Sequence, residues 1–335
     1  MRPRDLALVL LVVLLWGVNF VVIKLGLRGV SPFVLGGLRF TLTALPAIFF
    51  LKRPKLPLRI YAGFALTTFL GQFTLLFWAI KVGMPTGLSS LVHQSQAFFT
   101  VLLAAIILGE RPRPAQLAGM MVAALGLASI ATASGTSFPI AAFMLNLGAA
   151  MAWAAGNLVT RSLARHGEVN ALAFVVWSAL PLPIPFFALA WAFEGRDAVA
   201  ASLTAMDAVS WAAVGYLAFG ATLTGYGLWS RLLRTYPAAQ VARFTLLVPV
   251  VGLGCGWLVL GERLSTAQLA GCALVTAGLA LPFAAAASSR LIGAGGTVRG
   301  AGNRDSLHRA TPPTTGTPPA RILKSRRRWP AGHGE

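Results

Sequence analysis

Ten stretches of about twenty residues, nearly all apolar and separated by short polar turns, constrain this chain more than any other feature. A hydrocarbon core about 30 Å thick is crossed by a helix of about 20 apolar residues, and in lipid every backbone N–H and C=O must find its partner within the chain. The runs lie at 6–28, 32–51, 58–80, 85–108 and 115–134, then at 139–161, 170–193, 208–232, 237–260 and 265–287. Barrel strands would alternate apolar and polar residues over about ten positions, whereas these runs are continuous. The expected class is therefore an all-α integral membrane protein with ten transmembrane helices.

Composition excludes a solvated surface: 56% of the 335 residues are hydrophobic and 11% charged, against about 25% charged in a soluble domain. The formal charge of +19 would suit nucleic acid, but residues 290–335 carry +7 of it and the rest sits mostly in the turns, where bilayer orientation accounts for it. With residue 1 in the cytoplasm, Arg2, Arg4, Lys52, Arg53, Lys55, Arg59, Arg111, Arg113, Arg161, Arg165, Arg231 and Arg234 fall inside, and only Lys24, Arg28, Lys81, Arg196 and Arg263 outside. That asymmetry predicts a multi-pass inner-membrane (plasma-membrane) protein of the bacterial kind with both termini cytoplasmic, and no nucleic-acid partner. Met1-Arg2-Pro3-Arg4 before an apolar run resembles a secretory leader, yet the run extends to Leu27 without a small-x-small cleavage site and is read as an uncleaved first helix. Cys255 and Cys272 lie inside apolar runs, which excludes a disulfide framework.

The chain also repeats itself. Leu108-Gly109-Glu110-Arg111, followed by Ala115-Gln116-Leu117-Ala118-Gly119, returns 152 residues later as Leu260-Gly261-Glu262-Arg263 and Ala267-Gln268-Leu269-Ala270-Gly271. Pro85 and Pro237, and Gly126 and Gly278, keep that spacing, while Ala44-Leu45-Pro46 matches Ala179-Leu180-Pro181 at 135 and Asn19 matches Asn157 at 138. A spacing that grows from 135 to 152 implies about 17 inserted residues, placed around Glu194, Arg196, Asp197 and Asp207. Residues 1–135 are thus a first five-helix repeat and 136–288 a second. Five being odd, the second copy enters the membrane from the opposite face, as an inverted repeat. Residues 289–335, rich in Gly, Thr, Pro and Arg, are expected to be a disordered, basic, cytoplasmic tail.

Polar side chains deep in spans are costly in hydrocarbon and usually face a cavity or a neighbouring helix. Asn19, Arg39, Gln72, His93, Gln96, Asn157, Tyr226 and Arg243 are the candidates for binding a substrate. Arg39 lies about 10 Å into its helix and has Phe174 as its repeat partner, so it breaks the symmetry of the halves; it either grips a carboxylate or snorkels to the interface. Ser89, His93 and Gln96 share one face by helical spacing, and His93 is either a proton shuttle or a neutral, satisfied imidazole. Glu110 and Glu262 read as salt-bridged turns. Trp16, Trp78, Trp153, Trp177 and Trp229 are able to stack on a substrate or anchor at an interface. The glycines at 119, 126, 252, 256, 271 and 278 allow close helix contact, and Pro46 and Pro181, Pro183 and Pro185 favour kinks in the second and seventh helices. No Gly-x-x-x-x-Gly-Lys-Ser/Thr loop, metal-ligand spacing or convincing nucleophile–base pair occurs; the expectation is a non-enzyme without cofactor or metal.

Trp16-Gly17-Val18-Asn19-Phe20 with Lys24, Leu38-Arg39-Phe40 and the doubled Leu-Gly-Glu-Arg turn resemble the EamA branch of the drug/metabolite transporter superfamily. Gly83-Met84-Pro85-Thr86-Gly87-Leu88-Ser89-Ser90-Leu91-Val92, Gln96-Ala97-Phe98-Phe99-Thr100 and Leu246-Leu247-Val248-Pro249-Val250-Val251-Gly252-Leu253 are similar to runs in that family's bacterial exporters of O-acetylserine and cysteine. The resemblance covers residues 1–287. It implies the drug/metabolite transporter fold, alternating access around a central cavity, and secondary active export of small amino-acid metabolites, with a small-molecule substrate and the bilayer as partners. Protons are the candidate coupling ion, and association of two copies stays open. The alternatives are export of aromatic amino acids, purines or drugs, or a non-transporting membrane scaffold or sensor acting through its basic tail.

Overall fold

In a computed structural model the described residues are 1–132 and 137–301, and every regular element among them is helical. The spans are α1 (Pro3–Gly26), α2 (Pro32–Ile48), α3 (Leu58–Lys81), α4 (Thr86–Leu108), α5 (Pro114–Thr132), α6 (Ile140–Arg161), α7 (Ala171–Glu194), α8 (Ala208–Thr235), α9 (Gln240–Leu260) and α10 (Thr266–Ala301). Among the described residues, nine are long and apolar enough to cross a membrane, and α2 is a shorter apolar helix of 17 residues. Ile106, Met121, Ile184 and Leu258 are exposed along them, an apolar exterior suited to lipid tails. The chain is a multi-pass membrane protein. The inserted stretch of the second repeat contains the short helix Arg196–Thr204, whose Ser202 hydroxyl accepts from the backbone N–H of Ser31 at the start of α2.

Local chemistry sets the helix ends. Ser31 caps α2 by accepting from the N–H groups of Phe33 and Val34, Asn170 caps α7 through Ala173, and Asp207 caps α8 through Ser210. Gly109 and Gly261 close α4 and α9 at φ +68° and +65°, a left-handed turn that glycine adopts without penalty. Glu110 N–H then reaches back to Ala104 C=O and Glu262 N–H to Gly256 C=O, so the repeated Leu-Gly-Glu is a helix-stop signal used twice.

The helices pair as an inverted repeat requires. α1 packs along α8 and α9, while its copy α6 packs along α3 and α4; α2 packs on its own copy α7. α5 meets α10 at two glycine contacts. A Cβ on Gly119 would lie 2.5 Å from the Gly278 carbonyl oxygen, and one on Gly126 would lie 2.7 Å from that of Gly271. Gly119 corresponds to Gly271 and Gly126 to Gly278, so each glycine meets the image of the other, the signature of two antiparallel copies about a two-fold axis. The Glu262 side chain meets the first residues of α4, whereas Glu110 lies just past the last, so the two copies of the turn lie at opposite ends of one spanning helix.

The continuous runs conceal several breaks. α3 contains a π-helical segment at Ala65–Gly71 and α8 one at Tyr216–Thr224, at matching places in the two halves. α4 turns between His93 and Gln96, and α9 tightens into a 3-10 turn at Arg243–Leu246, again at matching places. α7 breaks between Ala179 and Pro183 beside its proline cluster, as expected, but α2 continues as one helix through Pro46. Met1–Ala287 form one compact unit, and a second begins at Ser288. α10 runs on to Ala301; residues 302–335, which hold most of the expected tail, lie outside the described residues.

Candidate functional site

A cavity of about 400 Å³ lies where these irregular segments meet, bordered by residues of α1–α4 and α6–α9. It brings together seven of the eight candidate residues: Asn19, Arg39, Gln72, His93, Gln96, Asn157 and Tyr226. Arg243 is absent from its lining and is exposed in the 3-10 turn of α9. Thr160, Leu163, Ala171, Ser230, Leu233 and Ala242 extend the lining toward the ends of α6 and α8 and the starts of α7 and α9, all on the face where α1 begins.

Arg39 is 2% exposed. Its Nη2 donates to the Thr222 hydroxyl at 3.0 Å, and that hydroxyl donates to the Leu217 carbonyl at 2.7 Å. The π-helical segment of α8 thus positions a side-chain acceptor for the guanidinium. Its Cζ lies 3.9 Å from the centroid of the Phe73 ring, a cation–π distance. Nε and Nη1 have no partner, and no Asp or Glu lines the cavity among the described residues. An arginine at a span's centre costs about 2.5–3.5 kcal/mol on insertion scales, and this one is fixed inside the bundle rather than drawn to its rim.

Aromatic rings also line the cavity. Trp16 packs against Tyr226 and Trp229, with centroids 5.7 and 5.2 Å away, and its Nε1 donates to Ala221 C=O. His93 lies between Trp153 and Phe20 at 5.1 and 6.0 Å, and its Nε2 is 3.1 Å from Gln72 Nε2. Asn157 Nδ2 donates to Gln96 Oε1 and to Thr100 Oγ1, and Gln94 Nε2 donates to Thr245 C=O, joining the break in α4 to that in α9. The Asn19 carbonyl oxygen is buried without a partner.

The shared face of Ser89, His93 and Gln96 is not continuous. Ser90, His93, Gln94 and Gln96 border the cavity, whereas Ser89 is absent from its lining and its backbone carbonyl accepts from the Asn146 amide of α6; the helix itself is interrupted at Gln94–Ser95. Thr68 and Thr160 also line the cavity, and the sequence alone does not single them out. Thr68 has an indirect signal, because Gly156 stands opposite with no space for a Cβ beside the threonine hydroxyl. The two Leu-Gly-Glu-Arg glutamates take partners from elsewhere than the adjacent arginine: Arg161 for Glu110 and Lys24 for Glu262.

The model of the EamA-like transporter family matches residues 5–132 and again residues 140–283. The chain is 48% identical over 282 residues to a "probable amino-acid metabolite efflux pump" of Salmonella typhimurium, covering 83% of this chain and 94% of that protein. It is 46% identical, over the same length and the same shares, to a protein of that description from Escherichia coli. A "probable terminal-alkyne amino-acid exporter" of Streptantibioticus cattleyicolor is 30% identical over 285 residues, 82% of this chain and 91% of its own. A solved crystal structure shares the fold with a TM-score of 0.58 at 20% identity, covering 84% of this chain and 96% of its own.

Proposed function

This chain belongs to the EamA-like transporter family, and from that premise we propose that it is a secondary exporter of small amino-acid metabolites of the O-acetylserine and cysteine kind. The names of its relatives in Salmonella and Escherichia support the substrate class. The observation that carries the reading is Arg39, a buried guanidinium with two unpartnered nitrogens beside a 400 Å³ cavity whose described lining lacks a carboxylate. In that surrounding the substrate's own carboxylate is the missing anion. Asn19, Gln72, His93, Gln96, Asn157 and Tyr226 offer hydrogen bonds to the rest of the molecule. Arg243, exposed and absent from the lining, is left out of this set. The positive-inside asymmetry puts the face of residue 1 in the cytoplasm of an inner membrane, so the cavity as described is loaded from inside and emptied by alternating access, with protons as the candidate coupling ion.

The test is efflux of labelled O-acetylserine and cysteine from vesicles carrying wild type, Arg39→Lys or Arg39→Gln. A hydrogen bond to a charged group contributes about 1.5–3 kcal/mol, so Arg39→Gln should reduce efflux at limiting substrate at least about tenfold. Arg39→Lys keeps the charge without the fork and should fall between. Wild-type efflux by Arg39→Gln would remove the assignment. The rings of Trp16, Trp153, Tyr226 and Trp229 favour a second reading, export of aromatic amino acids or purines; tryptophan or adenine competing better than O-acetylserine would select it.

A further inference from the structure

Toward the face opposite residue 1 the cavity lining ends at Phe20, Leu76 and Ser90, and beyond it one carboxylate ties the helix ends together. Glu262 Oε1 accepts from Thr86 N–H at 2.8 Å and from the Thr86 hydroxyl at 3.0 Å, while Oε2 accepts from Gly87 N–H at 2.9 Å. The turn after α9 thereby caps the first turn of α4, where free N–H groups and the helix dipole favour an anion. Lys24 at the end of α1 completes the knot at 3.5 Å, and the glutamate side chain is only 11% exposed. Below it the three helices come together at glycines, each with a neighbour's side chain where its own would be. A Cβ on Gly256 would lie 2.5 Å from Glu262 Oε2, one on Gly17 would lie 2.5 Å from Val251, and Gly252 leaves no space beside Ser90.

The repeat supplies the comparison. Glu110, the same turn on the other face, has both oxygens on Arg161 Nη1 at 2.9–3.0 Å, and its side chain is 55% exposed. Ser90 and Gly252 are packed together; their images are Ala242, which borders the cavity, and Thr100, which accepts from Asn157. One sequence signal is thus engaged in two ways, tight on the face opposite residue 1 and loose on the face of residue 1.

We propose that Glu262 is the latch of the far gate: its bonds to Thr86, Gly87 and Lys24 hold the carrier in the state open toward residue 1, and release of the cavity's contents on the other side requires those bonds to break. The proposal deepens the carrier reading. It is tested without any cargo, so it can fail while the substrate assignment stands. In a background carrying Cys255→Ser and Cys272→Ala, a cysteine is placed in the cavity by Ala221→Cys and labelled from the far face with a membrane-impermeant maleimide. Glu262→Ala should label at least tenfold faster than its parent, and Glu262→Gln, which keeps one acceptor, should show a smaller rise. Glu110→Ala should label no faster than the parent. Equal labelling of parent and both Glu262 variants overturns the latch, as does an equal rise in Glu110→Ala. Should Glu262→Ala not reach the membrane, the comparison of Glu262→Gln with Glu110→Gln decides in the same way.

Discussion

At the scale of single residues, buried groups with unused hydrogen-bonding capacity define the site. Arg39 is held by one hydroxyl and by the rings of Phe73 and Phe40, leaving two nitrogens unpartnered. Removing Thr222 should loosen it without discharging it: Thr222→Val is expected to raise KM for export more than it lowers the maximal rate, measured in the same vesicles. His93 is buried and hydrogen-bonds the Gln72 amide, a contact that a glutamine in its place can also make; His93→Gln should therefore keep the wild-type pH profile of efflux between about pH 6 and 8, the range in which an exposed histidine titrates. A changed profile would give His93 the proton role instead. Asp207 lies at the cap of α8, where the backbone N–H of Ser210, and then its hydroxyl, hold the carboxyl below the ordinary carboxylate range. Its folded value is depressed, so its stabilisation is present above the unfolded value near about 3.9 and lost as pH falls through the folded one. Asp207→Asn caps without titrating, and its thermal melts should be less sensitive to acid below about pH 4. Most of these residues were legible in the sequence because a polar side chain among twenty apolar ones is conspicuous. Thr68 and Thr160 were not, since a hydroxyl readily satisfies its own helix carbonyl and so carries little signal. Arg243 was conspicuous for the same reason as Arg39, yet its helix turns it outward.

At the scale of elements, the cavity exists because matching helices are irregular at matching places. The π-helical segments of α3 and α8 and the breaks in α4 and α9 all border it. A regular helix would aim its side chains at 3.6 residues per turn and direct some of these groups to lipid. Hydropathy located the ten helices to within a few residues, except for the end of α10, which runs on past 287 to Ala301, because length and apolarity are summed over the whole segment. It could not locate the breaks, because backbone hydrogen bonds shifted by one residue leave the composition unchanged. The glycines of α5 and α10 were legible as pairs but not as partners. Where backbones lie this close, any side chain forces them apart, at about 1–3 kcal/mol for an overpacked contact. Gly126→Val should therefore lower the melting temperature in detergent, and Gly271→Val should do so by a similar amount, since the same contact is struck from its other side.

At the scale of the molecule, the two-fold relation governs what each face does. Single cysteines at Arg111 and Arg263, beside the two copies of the turn, should label from opposite sides of the membrane; labelling from one side would contradict the antiparallel arrangement. Stopping the chain after Ser289 should leave efflux intact, because all the cavity residues lie within Met1–Ala287, and loss of efflux would give the removed residues a part in transport. The crosswise seam of Gly119 with Gly278 and Gly126 with Gly271 has a consequence for how such a chain is assembled. Each half carries, in α5 or α10, a complete docking edge for the other, so a covalent connection between Thr132 and Ile140 is dispensable to recognition. Two separately translated pieces, divided in that stretch and produced together, should find one another in the bilayer and restore export, while neither does so by itself.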